Sequence, residues 1–132
     1  MNDVVWNDAA LREFVRVIET RQWWNLDDDA REERRAQFRA QLAVRIVPAV
    51  QRQLLSTIGM RADAAGVAII ADEIVDDGAY FDERRWLLVS QDPWGYFAEW
   101  VAIVIERSYA GALRVPLPPT PTNKKLERAL KR

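Results

Sequence analysis

Histidine and cysteine are both absent from this chain of 132 residues. Without them the chain cannot build a Ser-His or Cys-His catalytic pair, a disulfide, or a zinc, haem or iron–sulfur site with the usual ligands. Glycine is sparse, with 5 scattered residues, and none has the spacing of a phosphate-binding loop. What remains is carboxylate, Lys, Tyr and Arg chemistry, or an oxygen-ligated magnesium or calcium ion.

Long hydrophobic runs are also lacking. The longest uninterrupted apolar stretch covers residues 100–105, far short of the roughly 20 residues that span a bilayer. Residues 1–8 lack the basic start and apolar run of a signal peptide. We therefore expect a cytoplasmic protein that makes no membrane contact.

Neither sign of charge dominates the whole chain, whose net charge is −1, but the charges occur in blocks. Residues 1–29 carry −4, residues 30–61 carry +5, residues 62–112 carry −7 and residues 113–132 carry +5. The blocks either neutralise one another within the fold or steer partners, including another copy of the chain.

Apolar residues recur at helical spacing, with little strand alternation. The pattern predicts an all-α bundle of about five helices over residues 1–112. The first helix begins at Asn7 or Asp8, the second runs from about Asp28 to Ile58 with a kink or break at Pro48, and Gly59 ends it. The others cover residues 62–76, residues 82–90 and a helix that starts at Asp92. Trp23 and Trp24, between the first two helices, are expected to cap one end of the core.

The last of these helices is apolar in nearly every direction, which is typical of a central, buried helix. Asp92 is its expected N-cap, Pro93 its first residue, and Gly111 its end. Residues 113–122 then form a stiff proline-rich linker. Residues 123–132 form a short basic helix, which is marginal by itself.

No arrangement of catalytic groups emerges from the pattern. Adjacent carboxylates diverge by about 100° on a helix, so they do not converge on one substrate atom. We expect no enzymatic activity, no cofactor and no metal. Glu73 and its acidic neighbours Asp72, Asp76 and Asp77 gather at a helix C-terminus, against the helix dipole. They either serve a partner or pair with arginines inside the fold.

Several basic residues are candidates for contact with nucleic acid or an acidic protein surface. Arg34, Arg45 and Arg52 lie on one stripe if the kink at Pro48 is small; the alternative is a solvated polar face. The basic tail adds five more candidates: Lys124, Lys125, Arg128, Lys131 and Arg132.

Three segments follow one another along the chain: residues 67–75, residues 84–88, and residues 92–107 together with Arg114. An acid-containing apolar helix is followed by a short helix and then by a proline-tryptophan-led helix that closes with arginine. This order resembles the helical core domain, the second conserved region, of the bacterial sigma-70 family, over roughly half of the chain.

The resemblance implies two surfaces. One contacts the clamp coiled coil of core RNA polymerase through Asp72, Glu73 and Asp76. The other captures melted promoter DNA through base stacking and phosphate contacts. Its candidate residues are Trp86, Trp94, Tyr96, Trp100, Arg107 and Tyr109. The alternative is that Trp94, Phe97 and Trp100, at helical spacing, belong to the core.

We expect no counterpart of the family's second DNA-binding domain, a helix-turn-helix, since about ten residues follow the linker. We therefore expect a non-enzymatic, sigma-like transcription accessory that contacts RNA polymerase, promoter DNA or both. The alternative is a helical protein–protein interaction module, or a homo-oligomer, without a polymerase role.

Overall fold

The computed structural model describes residues 6–113, with side chains through residue 108. The linker beyond Leu113, the tail and the side chain of Tyr109 therefore lie outside the described residues. The described part is all-α, as predicted, and contains no strand. Its helices are α1 (Asp8–Glu19), α2 (Asp28–Gln41), α3 (Val47–Ile58), α4 (Ala64–Ile74), α5 (Phe81–Val89) and α6 (Pro93–Leu113).

Local capping explains where four of these helices begin. In each case a short polar side chain accepts a hydrogen bond from the backbone N–H three residues later, which satisfies a donor that the helix leaves unpaired. The pairs are Asn7 with Ala10 at 2.9 Å, Asp27 with Ala30 at 2.7 Å, Asp63 with Gly66 at 2.9 Å and Asp92 with Gly95 at 3.1 Å. The predicted starts at Asn7 and Asp92 are thus confirmed.

The sequence predicts that Gly59 and Gly111 each end a helix, and the structure confirms only the first of these two predictions. Gly59 ends α3 in the left-handed conformation, with φ of 65°, and the N–H of Met60 reaches back to the carbonyl of Leu54 at 3.2 Å. At Gly111 the prediction is wrong, because α6 continues to Leu113. Glycine permits a left-handed cap but does not impose one, so a helix can continue through it at modest cost.

Pro48 leaves the long second helix continuous. The helix instead widens into a π turn over Leu42–Ile46, directly before α3, and the N–H of Val47 bonds the carbonyl of Leu42. Pro48 lies at the start of α3, where its missing N–H and its ring would otherwise disturb the preceding turn. The π turn provides the irregularity that the sequence predicts as a kink, and α2 and α3 remain one continuous helix.

Helix α6 is the centre of the bundle, as predicted, and packs against α1, α3, α4 and α5. A cluster of aromatic rings extends from it to α1 and α2. Phe38 stacks on Phe14 with ring centroids 4.5 Å apart, and contacts Phe97 of α6 at 5.9 Å and Trp6 at 6.0 Å. All four side chains are buried. This cluster joins α6 to α1 and α2, which lie far from it in the sequence.

The substitution Gly59→Ala is expected to lower the free energy of unfolding by about 1–2 kcal/mol, the cost of holding an L-residue in the left-handed region. A Cβ at Gly59 would meet no atom within 4 Å, so the loss would come from the backbone conformation alone. Gly78→Ala is the matched control, because its Cβ also enters open space and its φ is not positive. Urea denaturation of both variants checks the difference, and equal losses would contradict the explanation.

Candidate binding site

The acidic residues at the end of α4 are tied to α2. Asp72 accepts hydrogen bonds from Nε of Arg35 at 2.8 Å and from Nε of Arg39 at 3.1 Å. Asp76 accepts one from Nη1 of Arg35 at 3.1 Å. Of the two alternatives for this acidic group, pairing inside the fold therefore holds for Asp72 and Asp76. Glu73, between them in sequence, is exposed.

Two of the aromatic candidates for base stacking belong to the core. Trp94 and Trp100 are 5% and 3% exposed, and Trp100 packs on Phe97 with ring centroids 5.3 Å apart. Stacking on a base requires an accessible ring face, so the folded protein does not offer these two rings to DNA. Trp86 and Tyr96 are half-buried.

The side chain of Tyr96 is half-buried, and its hydroxyl oxygen lies in the interior. Burial, together with the nearby carboxylates of Glu83 and Glu99, raises its pKa above the usual range for tyrosine. The hydroxyl therefore stays protonated at neutral pH. Its oxygen is buried and has no hydrogen-bond partner among the residues that the structure describes.

The basic candidates are spread over different environments. The guanidinium of Arg45 lies over the ring of Trp94, 5.4 Å from its centroid. Arg34 is half-buried, whereas Arg52 and Arg107 are exposed. The prediction that Arg34, Arg45 and Arg52 lie on one stripe depends on an uninterrupted repeat of 3.6 residues. The π turn interrupts this repeat, so the sequence spacing does not place Arg34 and Arg52 on the same face.

A pocket that sequence reasoning missed lies where α1 ends and α5 begins, and its volume is about 260 Å³. We call it the Trp24 pocket. Its walls come from α1, the turn at residues 21–26, the segment after α4, and α5. The lining residues are Ile18, Glu19, Arg21, Trp23, Trp24, Asp76, Phe81 and Arg84.

The floor of the Trp24 pocket is a buried ion pair. Arg84, which is 6% exposed, donates from Nε to Oε2 of Glu19 at 2.5 Å. Its Nη1 donates to the carbonyls of Asp77 at 2.6 Å and Val75 at 3.3 Å. The guanidinium thus links α1, α5 and the end of α4, and it holds the floor in place.

The rim of the pocket is the turn at residues 21–26. Arg21 has φ of 63° and is the only non-glycine residue between 6 and 113 with positive φ. Across the turn, Arg31 donates to the carbonyl of Leu26 at 2.8 Å and pairs with Asp28. Its guanidinium lies 5.9 Å from the centroid of the Trp24 ring. These contacts hold a tryptophan that is 72% exposed.

The two neighbouring tryptophans differ in their exposure to solvent. Trp23 turns inward and meets Phe14 edge to face, with ring centroids 5.8 Å apart, as expected of a residue that caps the core. For Trp24 that expectation is wrong, because consecutive residues of the 3₁₀ turn Gln22–Asn25 point in different directions. The sequence feature that could have indicated this pocket is a tryptophan in the short connection between two helices.

The Trp24 pocket presents aromatic and basic side chains at the surface. Trp24 and Phe81 expose aromatic faces beside the guanidinium groups of Arg21 and Arg84. Within residues 6–113, no group of three or more carboxylates is placed to hold a metal ion. In the same range, no helix combines the length and the apolar content that a bilayer crossing requires.

No protein-family model, no curated protein and no solved structure matches the chain. Function is therefore inferred from the side chains of this chain and their geometry.

Proposed function

We propose that this protein acts by binding another protein, without catalysis, and that the Trp24 pocket is its contact site. The observation that carries the proposal is the exposure of Trp24, 72%, on a turn that hydrogen bonds and an ion pair hold in place. The proposal corresponds to the interaction module that the sequence left as an alternative.

A tryptophan in this setting is well suited to recognition. Its side chain can bury about 150–250 Å², and tryptophan is enriched among the few residues that dominate binding energy at protein interfaces. Because Arg31 already orders the turn, little conformational entropy is lost when a partner covers the ring. The exposed Phe81, which also lines the pocket, extends the apolar contact.

The size of the pocket favours a protein partner. Its volume of about 260 Å³ is below the 300–1,000 Å³ that small-molecule sites usually occupy. It suits one or two side chains that protrude from a larger surface. A partner would then cover Trp24 and Phe81 together and exclude water from both.

Substitution of Trp24 by Ala is expected to weaken partner binding by roughly 30-fold or more, as for a binding hot spot. The test selects peptides from a random display library on the full chain, then measures their affinities by fluorescence anisotropy. Ile69→Ala on α4 is the matched control, since Ile69 is also exposed, at 57%. Circular dichroism should show both variants folded.

Two results would overturn the proposal. One is a selection that yields no binder, and the other is a set of binders with equal affinity for the wild type and Trp24→Ala. Sedimentation equilibrium of the full chain adds a further distinction. A dimer that Trp24→Ala dissociates would identify the partner as a second copy of the chain.

The sigma-like accessory is a second candidate, favoured by one observation. Glu73 is exposed beside Asp72 and Asp76, whose charges are neutralised by arginines of α2. Of the proposed polymerase contacts, Glu73 is therefore the one that can be altered without breaking an ion pair of the fold.

Capture of purified bacterial core RNA polymerase by the full chain tests this candidate. We expect Glu73→Lys to reduce capture by about tenfold through charge repulsion. Glu33→Lys, at an exposed position of α2, should leave it unchanged. Absence of capture by the wild type would remove the sigma-like function, and equal capture by both variants would remove Glu73 from it.

A further inference from the structure

The continuous helix formed by α2 and α3 has an apolar side that faces away from the core. Its inward side buries a residue at every fourth position through the π turn: Phe38, Leu42, Ile46, Val50 and Leu54. The residues two positions before the first four of these lie on the opposite side of the helix. We call them the outer face: Ala36, Ala40 and Val44, which are exposed, and Pro48, which is half-buried.

The composition of the outer face indicates that it is covered by a partner. The solvent side of an amphipathic helix is normally polar or charged, whereas the outer face contains no charged residue. Val44, near its middle, is 74% exposed, more than any other large apolar side chain that the structure describes. A second helix laid along the outer face would remove this apolar surface from water.

The two ends of the outer face carry opposite charges. Glu32, one turn before Ala36, has a side chain that is 74% exposed and lies 3.6 Å from Arg39, a separation longer than a hydrogen bond. Arg52, one turn after Pro48, is exposed and forms no ion pair among the described side chains. Both charges are therefore available to a partner.

We infer that the outer face joins two copies of this chain in an antiparallel dimer. The midpoint of the face lies between Ala40 and Val44, and a two-fold axis there sets Ala40 of each copy against Val44 of the other. Glu32 and Arg52 are equally far from this midpoint, so the same axis places Glu32 of each copy beside Arg52 of the other. The register that matches the apolar residues thus also pairs the opposite charges. The inference is independent of the Trp24 pocket and adds a second contact surface.

Two other arrangements fit the outer face less well. A parallel pair of helices would set Glu32 against Glu32 and Arg52 against Arg52, and both contacts are repulsive. A nucleic acid strand binds chiefly through its phosphates, and along the outer face these would meet an uncharged stripe that begins beside Glu32.

Sedimentation equilibrium of the full chain at low salt tests the inference, and we expect a dimer. Val44→Glu should raise the dissociation constant by about 100-fold, because it places two carboxylates close to the axis. Val89→Glu is the matched control, since Val89 on α5 is 70% exposed, and it should leave the dissociation constant unchanged. Circular dichroism should show both variants folded.

A charge exchange tests the antiparallel register. Arg52→Glu alone should weaken the dimer by about tenfold, and the effect should shrink as salt rises. The double variant Glu32→Arg/Arg52→Glu should return close to the wild-type dissociation constant, because it restores both ion pairs with the signs reversed. A double variant as weak as Arg52→Glu would overturn this register.

A wild-type chain that stays monomeric up to about 1 mM would overturn the inference. Equal dissociation constants for Val44→Glu and Val89→Glu would do the same. Trp24→Ala separates this inference from the proposed function, because it should leave an outer-face dimer intact. A dimer that Trp24→Ala dissociates and Val44→Glu leaves intact would place the contact at the Trp24 pocket, so the inference would fail while the proposed function stood.

Discussion

Replacement of Arg84 by Met is expected to lower the free energy of unfolding by about 3–5 kcal/mol, the usual loss when one partner of a buried ion pair is removed. The carboxylate of Glu19 would stay in the interior without its guanidinium, and the carbonyls of Val75 and Asp77 would lose their donor. Urea denaturation, followed by circular dichroism, measures the change.

Two controls isolate the ion pair. Arg85→Met removes an exposed arginine one residue along the same helix and should change stability by no more than about 0.5 kcal/mol. The double variant Glu19→Leu/Arg84→Met should recover much of the loss, because it leaves no unpaired charge in the interior. A loss below about 1 kcal/mol for Arg84→Met would show that solvent reaches the carboxylate.

Replacement of Phe38 by Ala is expected to cost about 3–5 kcal/mol, as for other fully buried aromatic side chains. Phe38 is 0% exposed and its ring contacts Trp6, Phe14 and Phe97, so its removal leaves a cavity where α1, α2 and α6 meet. Domains of this size are stable by only about 5–15 kcal/mol, so the variant should unfold at a much lower temperature.

Phe81→Ala is the control for the aromatic cluster, because it deletes the same ring from a site that is 49% exposed. It should cost about 1 kcal/mol or less. Phe38→Leu, which keeps most of the apolar volume, should fall between the two and remain folded. Thermal unfolding of the three variants gives the order of their stabilities. A Phe38→Ala variant as stable as Phe81→Ala would contradict the central position of this cluster.

The local elements of the fold could be predicted from the sequence. An N-cap needs only one short polar side chain and the N–H three residues later, which is why Asn7 and Asp92 are readable without a structure. The central position of α6 follows from its own composition, because a helix apolar on every side has to be buried. Such features depend on residues that are close neighbours in the chain.

The candidate site could be predicted only in fragments. The sequence shows an acidic group at the end of α4 and two tryptophans after α1, but it leaves open which charges are paired and which ring is exposed. Arg35 reaches Asp72 across 37 residues, and Arg84 reaches Glu19 across 65. No periodicity within one helix encodes which helix packs beside it.

What the sequence determined by itself is the all-α class, the capped helix starts and the burial of α6. What only the tertiary structure decided is that Asp72 and Asp76 are neutralised, that Trp94 and Trp100 are covered, and that Trp24 stands at the rim of a pocket. The physical reason is the separation along the chain of the residues that interact. Helix formation, capping and the apolar character of one helix depend on residues within a single segment, whereas ion pairing, the exposure of individual side chains and pocket shape depend on how distant helices pack.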